Sequence, residues 1–379
     1  MNTETPDNPF IEIKVCLGTS GKASGGMDVL RAFKQNIQES GIEARIGKRC
    51  SYKKVGCRGF CSRDVLVDVI INGSKMTYQS VKPIMVERIV KEHILDGNPV
   101  QEWLTRDEYE SYHGKQHKIV LGPCGEIDPE SIDEYLAMRG YRAAKKALTQ
   151  MTPDEVIRAV TASGLRGRGG SGFPTGQKWK VCSDQEDSPK YIICNVGEVN
   201  RALAEGNPHA IIEGLLISGY AIGSPKGFIY IRERYHLSVE RLRTAISQAR
   251  ERGFIGRDIF GSGFSFEIEF SFGTEAFICG EETALMESIE GKRAMPRFRP
   301  PYPAQKGLWG KPTVINNAET ISNIPLIIGM GPQWYSAIGT EASKGTKVFT
   351  LSGKVKNNGL VEIPMGMSLR EIVYEIGGG

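Results

Sequence analysis

Residues 163–180 read SGLRGRGGSGFPTGQKWK. Gly164, Gly167, Gly169, Gly170, Gly172 and Gly176 crowd this stretch, with Arg166, Arg168, Lys178 and Lys180 among them. Glycines let main-chain N–H groups converge on one point and let a ligand come close. The cations match a phosphate in sign, and arginine can hold one through two bonds. Phe173 and Trp179 add flat apolar surface suited to a ring. The stretch reads as a phosphate loop for a nucleotide or flavin. A flexible, basic surface loop is the plainer alternative, because glycine-rich motifs often match by chance.

The neighbours of this loop predict the fold. Thr152 and Pro153 start a helix over 153–163, so the loop follows a helix. An ordinary dinucleotide fingerprint follows a strand instead, with a later acid for the ribose. YIIC at 191–194 is a buried-type strand. The segment NVGEVNRALAEGNPH (195–209) leaves it where open α/β sheets place ligands. An apolar helix over 210–222, a strand over 228–231, an amphipathic helix over 237–252 and a strand over 264–272 follow. Such alternation predicts an α/β domain. Within AFICGEETALMESIEG (276–291), Gly280, Glu281 and Glu282 fall at a strand-to-helix junction. Their carboxylates either cap the helix or accept from sugar hydroxyls or an amide. Asn316 and Asn317 in TVINNAETISNIP (313–325) follow another strand and suit a flavin's polar edge, or a turn and cap. Between the two halves of the chain, 119–121 predicts a short strand, and 132–138 and 141–149 predict helices.

Upstream, IEIKVC (11–16) predicts a strand, 27–40 a helix, 65–71 a strand turning at 72–73, and 81–93 a helix. This order suits a small thioredoxin-like domain over 1–95. Residues 96–117 are polar and read as a linker, followed by the α/β domain over 118–340. Cys16, Cys50, Cys57 and Cys61 cluster at this end of a chain with eight cysteines. Cys16, Cys57 and Cys61 sit on two loops that could grip an iron–sulfur cluster, which usually takes four cysteines. Cys50 is the candidate fourth. Zinc is a rival, and buried inert thiols are the plainest reading. From 345 to 379 the texture changes: KVFTLSGKV, NNG and LVEIP predict a β-hairpin with an Asn-Gly turn. Ser368 and Glu371 form a capping box for a following helix.

The 379 residues suggest two or three domains. Hydrophobic content of 40%, 24% charge and a net +4 describe an ordinary soluble protein and do not point to nucleic acid or an anionic membrane. No apolar run approaches the ~20 residues of a membrane span. MNTETPDNPF (1–10) lacks the basic and apolar parts of a signal peptide, so a cytoplasmic location is expected.

Together these residues resemble the family of NADH-oxidising flavoproteins of respiratory complex I. That family includes the diaphorase subunits of NAD-linked hydrogenases and formate dehydrogenases. The resemblance runs from about residue 11 to the last residue. It is carried by GLRGRGGSGFPTGQKW (164–179), GNPHAIIEGLLISGYAIG (206–223), ICGEETALMESIEGKRAMPRFRPPYPAQKGLWGKPTVINNAET (278–320) and CGEIDPESIDEYLAMRGYRAAKKAL (124–148). The leading thioredoxin-like domain points to the hydrogenase or formate-dehydrogenase type.

The resemblance implies FMN and NAD(H), with partner subunits of a hydrogenase, formate dehydrogenase or complex I-like assembly. It places flavin contacts on Gly167, Gly169, Gly170, Lys178, Asn195, Asn316 and Asn317. It puts Glu198 near the nicotinamide, Phe173 beside the nucleotide, and Gly280, Glu281 and Glu282 on the NADH side. A hydride would pass from NADH to the flavin, and single electrons then to iron–sulfur clusters. The implied fold is a thioredoxin-like [2Fe–2S] domain, a Rossmann-like FMN/NADH domain and the start of a β-grasp domain. A [4Fe–4S] site is expected only in a longer chain. Three departures stand out. NVGEVNR replaces a longer acidic segment of the form NADEGDPGAFMDR. Gly21 stands where the family's second N-terminal cysteine would be. Phe277 replaces a tyrosine of the NADH segment.

Overall fold

Period-two alternation of apolar residues builds two separate sheets. The computed structural model describes residues 11–43, 50–273 and 276–379. In the N-terminal sheet, β1 (Ile11–Cys16) runs parallel to β2 (Cys50–Val55) and antiparallel to β3 (Val67–Ile71), which pairs with β4 (Ser74–Tyr78). The order β2-β1-β3-β4 is that of a thioredoxin-like domain. Helix α1 (Gly26–Glu39) sets Val29, Leu30, Phe33 and Ile37 on one face, against Ile11, Ile13 and Val15. The helix expected over 81–93 forms as α2 (Pro83–Arg88) and runs on as a π-helical stretch, Ile89–Leu95. Strand β2 was not anticipated, because its half-exposed lysines hide the apolar alternation.

The segment expected as a linker carries helix α3 (Asp107–Gly114). Its Tyr112 is fully buried against Phe60 and Val361. Residues 119–121 do not form the expected strand. The Val120 and Leu121 amides donate instead to the buried Glu362 carboxylate, at 3.1 and 2.8 Å, so no ladder is needed to satisfy them.

Helices α4 (Arg142–Gln150), α5 (Pro153–Ala162) and α6 (Thr175–Ser183) lead into the second sheet. Thr152 and Glu155 close a capping box at the start of α5. Strand β5 (Tyr191–Val196) is followed by α7 (Arg201–Gly206) and α8 (Pro208–Ile222). Strand β6 (Lys226–Arg232), helix α9 (His236–Glu251) and strand β7 (Glu267–Gly273) come next. Helix α10 (Glu282–Ile289), strand β8 (Thr313–Asn317) and helix α11 (Ala318–Met330) complete the layer. All four strands are parallel, in the order β7-β6-β5-β8.

Both faces of this sheet are covered, as parallel sheets require. Ile192, Cys194, Ile229, Ile231 and Val314 enter the main core with α8 and α11. The alternate residues Ile193, Phe228, Tyr230 and Ile315 pack with Leu285 and Met286 of α10. Gly214 of α8 lets α11 come close: a Cβ there would lie 2.3 Å from the Ile321 carbonyl oxygen.

Strands β9 (Thr346–Leu351) and β10 (Gly359–Pro364) form the expected hairpin. Their connection spans 352–358 and is not a two-residue Asn-Gly turn, since Leu351 pairs with Gly359. The hairpin docks on the N-terminal domain, with the Leu360 amide donating to the Gly59 carbonyl at 2.8 Å. Ser368 and Glu371 form their capping box.

Candidate functional site

Strand β5 pairs with β6 on one side and β8 on the other, and the chain leaves β5 toward β6. The carboxyl ends of β5 and β8 therefore bound the switch-point crevice of an open sheet. In-register pairing sets Cys194 beside Asn316 and Asn195 beside Asn317 at this edge. The glycine loop arrives from α5 and folds back on itself. Its Gly167 amide donates to the Phe173 carbonyl (2.9 Å) and its Thr175 amide to the Leu165 carbonyl (2.9 Å). The tip, 169–172, reaches β8: a Cβ on Gly169 would lie 3.3 Å from that of Asn317. Gly170 and Gly172 have φ of 131° and 64°, angles that favour glycine. The amides of Gly169, Gly170, Ser171 and Gly172 have no acceptor among the described residues. Phe173 beside them is half exposed.

Not every cation of the loop faces this crevice. Arg168 is buried and tied inward. Its Nε donates to the Thr346 carbonyl (2.8 Å), and its guanidinium also meets the Arg166 carbonyl, the Lys344 carbonyl and the Tyr335 hydroxyl. Arg168 thus anchors the loop to the hairpin and is not a phosphate ligand. Lys180 lies on the surface with Asp184 and Asp154, at 2.6 and 3.7 Å. Trp179 is fully buried, and its Nε1 donates to Asn316 Oδ1 at 2.9 Å, so it offers no stacking face. Lys178 is the loop-side cation at the edge of β8. Its Nζ donates to the Ile315 carbonyl (3.2 Å) and meets Glu282 at 3.3 Å.

The opposite wall is the start of α10. Glu281 caps this helix, its Oε2 accepting from the Thr283 and Ala284 amides, both at 2.9 Å. The capping alternative is therefore realised for one of its oxygens; the other faces Arg299 at 3.7 Å. Glu282 bridges Lys178 and Arg299, the latter at 2.9 Å. Gly280 is open, with nothing near a would-be Cβ, and Phe277 is 93% exposed. Asn317 caps α11 through Oδ1, accepting from the Glu319 amide at 2.9 Å, and its Nδ2 donates to Asn200 Oδ1. Asn195 makes no side-chain hydrogen bond among the described residues. Glu198 is exposed on the turn after β5, and no ion pair joins it to the glycine loop or to Gly280–Glu282 among the described residues.

Sequence reasoning missed Asn200, which holds Asn317, and Thr320, whose hydroxyl accepts from the Arg168 amide at 2.8 Å. Both lie in quoted segments, but only tertiary packing assigns them partners.

The cysteines form a second candidate centre. Cys57 and Cys61 sulfurs lie 3.6 Å apart, and buried Cys16 sits beside them under the Gly56 carbonyl. Cys50 is excluded by register. It pairs with Ile11 at one end of β2, whereas Cys16 pairs with Val55 at the other. Five residues of strand separate them by about 17 Å. Among the described residues, no three His, Cys, Asp or Glu side chains are gathered closely enough to hold one metal ion. A two-iron cluster shares its ligands between two irons, and the Cys57–Cys61 pair with Cys16 alongside fits that demand. The loop is held from outside its own domain. Thr19 donates to Glu205 of α7 through its amide (2.9 Å) and hydroxyl (2.7 Å), and a Cβ on Gly56 would lie 2.4 Å from the Gly206 Cα. Arg58 between the thiols is buried against Asp68, with Nη1 2.5 Å from Oδ1.

Comparison with known proteins agrees with this geometry. Residues 160–326 match the model of the Nuo51 FMN-binding domain. The chain is 55% identical over 270 residues to the NADP-reducing hydrogenase subunit HndC of Solidesulfovibrio fructosivorans, covering 70% of this chain and 55% of that protein. It is 53% identical over 255 residues to an NADH-quinone oxidoreductase subunit of Aquifex aeolicus, covering 66% of this chain and 59% of that protein. A crystal structure of NAD+-reducing [NiFe]-hydrogenase in the H2-reduced state aligns over 97% of this chain and 61% of that chain, with a TM-score of 0.57 and 27% identity. The chain thus spans between half and two thirds of the length of these relatives. Residues 160–326 of this chain thus form a domain of the Nuo51 FMN-binding type.

Proposed function

We propose that this chain is the FMN-binding, NADH-oxidising (diaphorase) subunit of a larger cytoplasmic redox assembly of the hydrogenase, formate dehydrogenase or complex I type. The observation that carries the reading is the set of free amides at 169–172, poised over the carboxyl ends of β5 and β8 with Lys178 beside them. Converging N–H donors and one cation suit a phosphate. Asn195, Asn316 and Asn317 supply donors and acceptors for the polar rim of an isoalloxazine, and Phe173 an aromatic surface next to it. Gly280 leaves room on the opposite wall, where Glu281 and Glu282 would meet the second nucleotide. Bound there, FMN supplies the chemistry that accepts a hydride and releases its electrons singly. The protein orients both nucleotides and sets the charge around them. Cys16, Cys57 and Cys61 would hold an electron-accepting [2Fe–2S] cluster. Helix α7 spans the two centres: it starts beside Asn200, at the crevice, and ends at Gly206, against the cysteine loop.

The test is protein prepared anaerobically, with FMN counted per chain and NADH added. Stoichiometric flavin that NADH bleaches is the expected result. Flavin that NADH leaves yellow removes the NADH half of the reading. One observation favours that second outcome, a flavin-binding or assembly subunit without hydride transfer. The shortened segment after β5 brings Asn200 onto Asn317, and so occupies an amide that the flavin's edge would use.

A further inference from the structure

The cluster reading above leaves the fourth ligand open. Position 21 cannot supply it, being glycine, and it is tightly enclosed: a Cβ there would lie 2.1 Å from the Cys16 carbonyl oxygen. Cys50 is at the far end of β2. Asp64 is neither. It stands three residues after Cys61, and its amide donates to the Cys61 carbonyl at 3.3 Å, closing the turn that carries that thiol. Its carboxyl faces the Cys16 thiol and the Ser20 hydroxyl, and its charge is felt at Cys57 as well. Its Oδ2 is buried and has no hydrogen-bond partner. Arg58, the cation whose charge reaches Asp64, is taken by Asp68 through both terminal nitrogens. A buried, unpartnered carboxylate oxygen is costly and calls for an explanation.

We propose that Asp64 is the fourth ligand of a [2Fe–2S] site completed by Cys16, Cys57 and Cys61. The proposal rests on the cluster reading. A carboxylate carries the same charge as the thiolate it replaces, so the site keeps its charge balance. Carboxylate oxygen is an established donor to iron in protein sites. Its approach from the Cys61 turn also makes a side chain at position 21 unnecessary. The glycine there lets the helical turn Thr19–Ala23 close onto Cys16.

The experiment uses the full chain, made anaerobically and reconstituted with ferrous iron and sulfide. Iron is counted, and visible and EPR spectra are recorded before and after reduction by dithionite. FMN content and far-UV circular dichroism report folding of each variant. Wild type should hold about two irons per chain. Asp64→Asn, which keeps the shape and removes the anionic donor, should lose iron at least tenfold. Asp64→Cys should keep the iron, move the visible bands to longer wavelength and change the g values, as an all-thiolate site would. Wild-type iron content and spectra in Asp64→Asn, or an unchanged spectrum in Asp64→Cys, overturn the ligand and leave the cluster standing. A wild-type chain that folds and takes up no iron overturns the cluster reading and the ligand with it.

Discussion

The flavin crevice and the cysteine loop are built on opposite plans. The crevice comes from one parallel sheet and the loops at its edge, and the polar groups that line it pair with neighbours in the same domain: Trp179 with Asn316, Lys178 with Glu282, Asn317 with its own helix, while Arg168 behind the loop ties it to Thr346 of the hairpin. The cysteine loop is shaped by distant chain. Gly206 presses on Gly56, Glu205 holds Thr19, and Leu360 donates to Gly59. A locally lined site should survive damage in the N-terminal domain, whereas one shaped by two distant segments should not survive damage to them.

The largest expected effect tests that contrast on the cysteine side. Among the described residues, Arg58→Leu leaves the fully buried Asp68 with only Thr77 and half-exposed Lys75 as side-chain partners. Breaking a buried ion pair from one side costs about 3–5 kcal/mol. Chemical denaturation should show the N-terminal domain unfolding first, while FMN titration gives the wild-type affinity. Loss of flavin affinity in this variant would mean that the two sites are not independent.

A smaller effect separates the two regions by pH. His209 is buried in the flavin domain, its Nδ1 3.0 Å from the Tyr141 hydroxyl and its Nε2 3.1 Å from Gln248 Oε1. Burial pushes its pKa down to about 4. A histidine depressed in the folded state contributes stability that is complete above its unfolded value of about 6.5 and is lost as pH falls toward 4. The loss amounts to ~3 kcal/mol. Nearby Glu213 is pushed up by burial and acts in the opposite sense. The difference between wild type and His209→Gln isolates the histidine: it should shrink from pH 7 to pH 4 in urea denaturation followed at neutral and acid pH. On the cysteine side, Asp68 is held below the ordinary carboxylate range by Arg58, against the opposing pull of burial. Its contribution is complete above about pH 4 and is lost only as pH falls further, so the Arg58–Asp68 pair keeps its share of N-terminal stability through the mild acid that removes the His209 share.

The smallest effects sharpen the crevice itself. Lys178→Met should weaken FMN binding about ten- to a hundredfold, the scale of one charge-assisted hydrogen bond, as read by quenching of flavin fluorescence. Lys180→Met, two residues away but on the surface, should leave that affinity unchanged. Equal losses in both would return the glycine loop to a general basic surface.

Much of this was legible in the chain before any coordinates. Alternating residues gave the strands, glycine and capping boxes gave loop and helix boundaries, and the loop's composition gave its chemistry. Charge sign alone could not say where Arg168 points. Its partners, the carbonyls of Lys344 and Thr346, arrive from the start of the far hairpin and the residues just before it. Cys50 matched in residue type but not in strand register, which local sequence does not show. Asp64 passed unnoticed because a single aspartate after a turn carries no periodic signal. Its meaning comes from the thiols that folding brings to it.

The contact between Gly59 and the last strand also sets an order of assembly. Gly59 and Cys57 leave the ribosome early, yet the chain that shapes their loop is made in two later instalments, first at Gly206 and then at Gly359 and Leu360. Domains fold as units from the N-terminus during synthesis, so the first domain folds with its cysteine loop still unsupported. The thiols reach their final arrangement only when the hairpin closes over them, and any metal loaded earlier would meet a looser site.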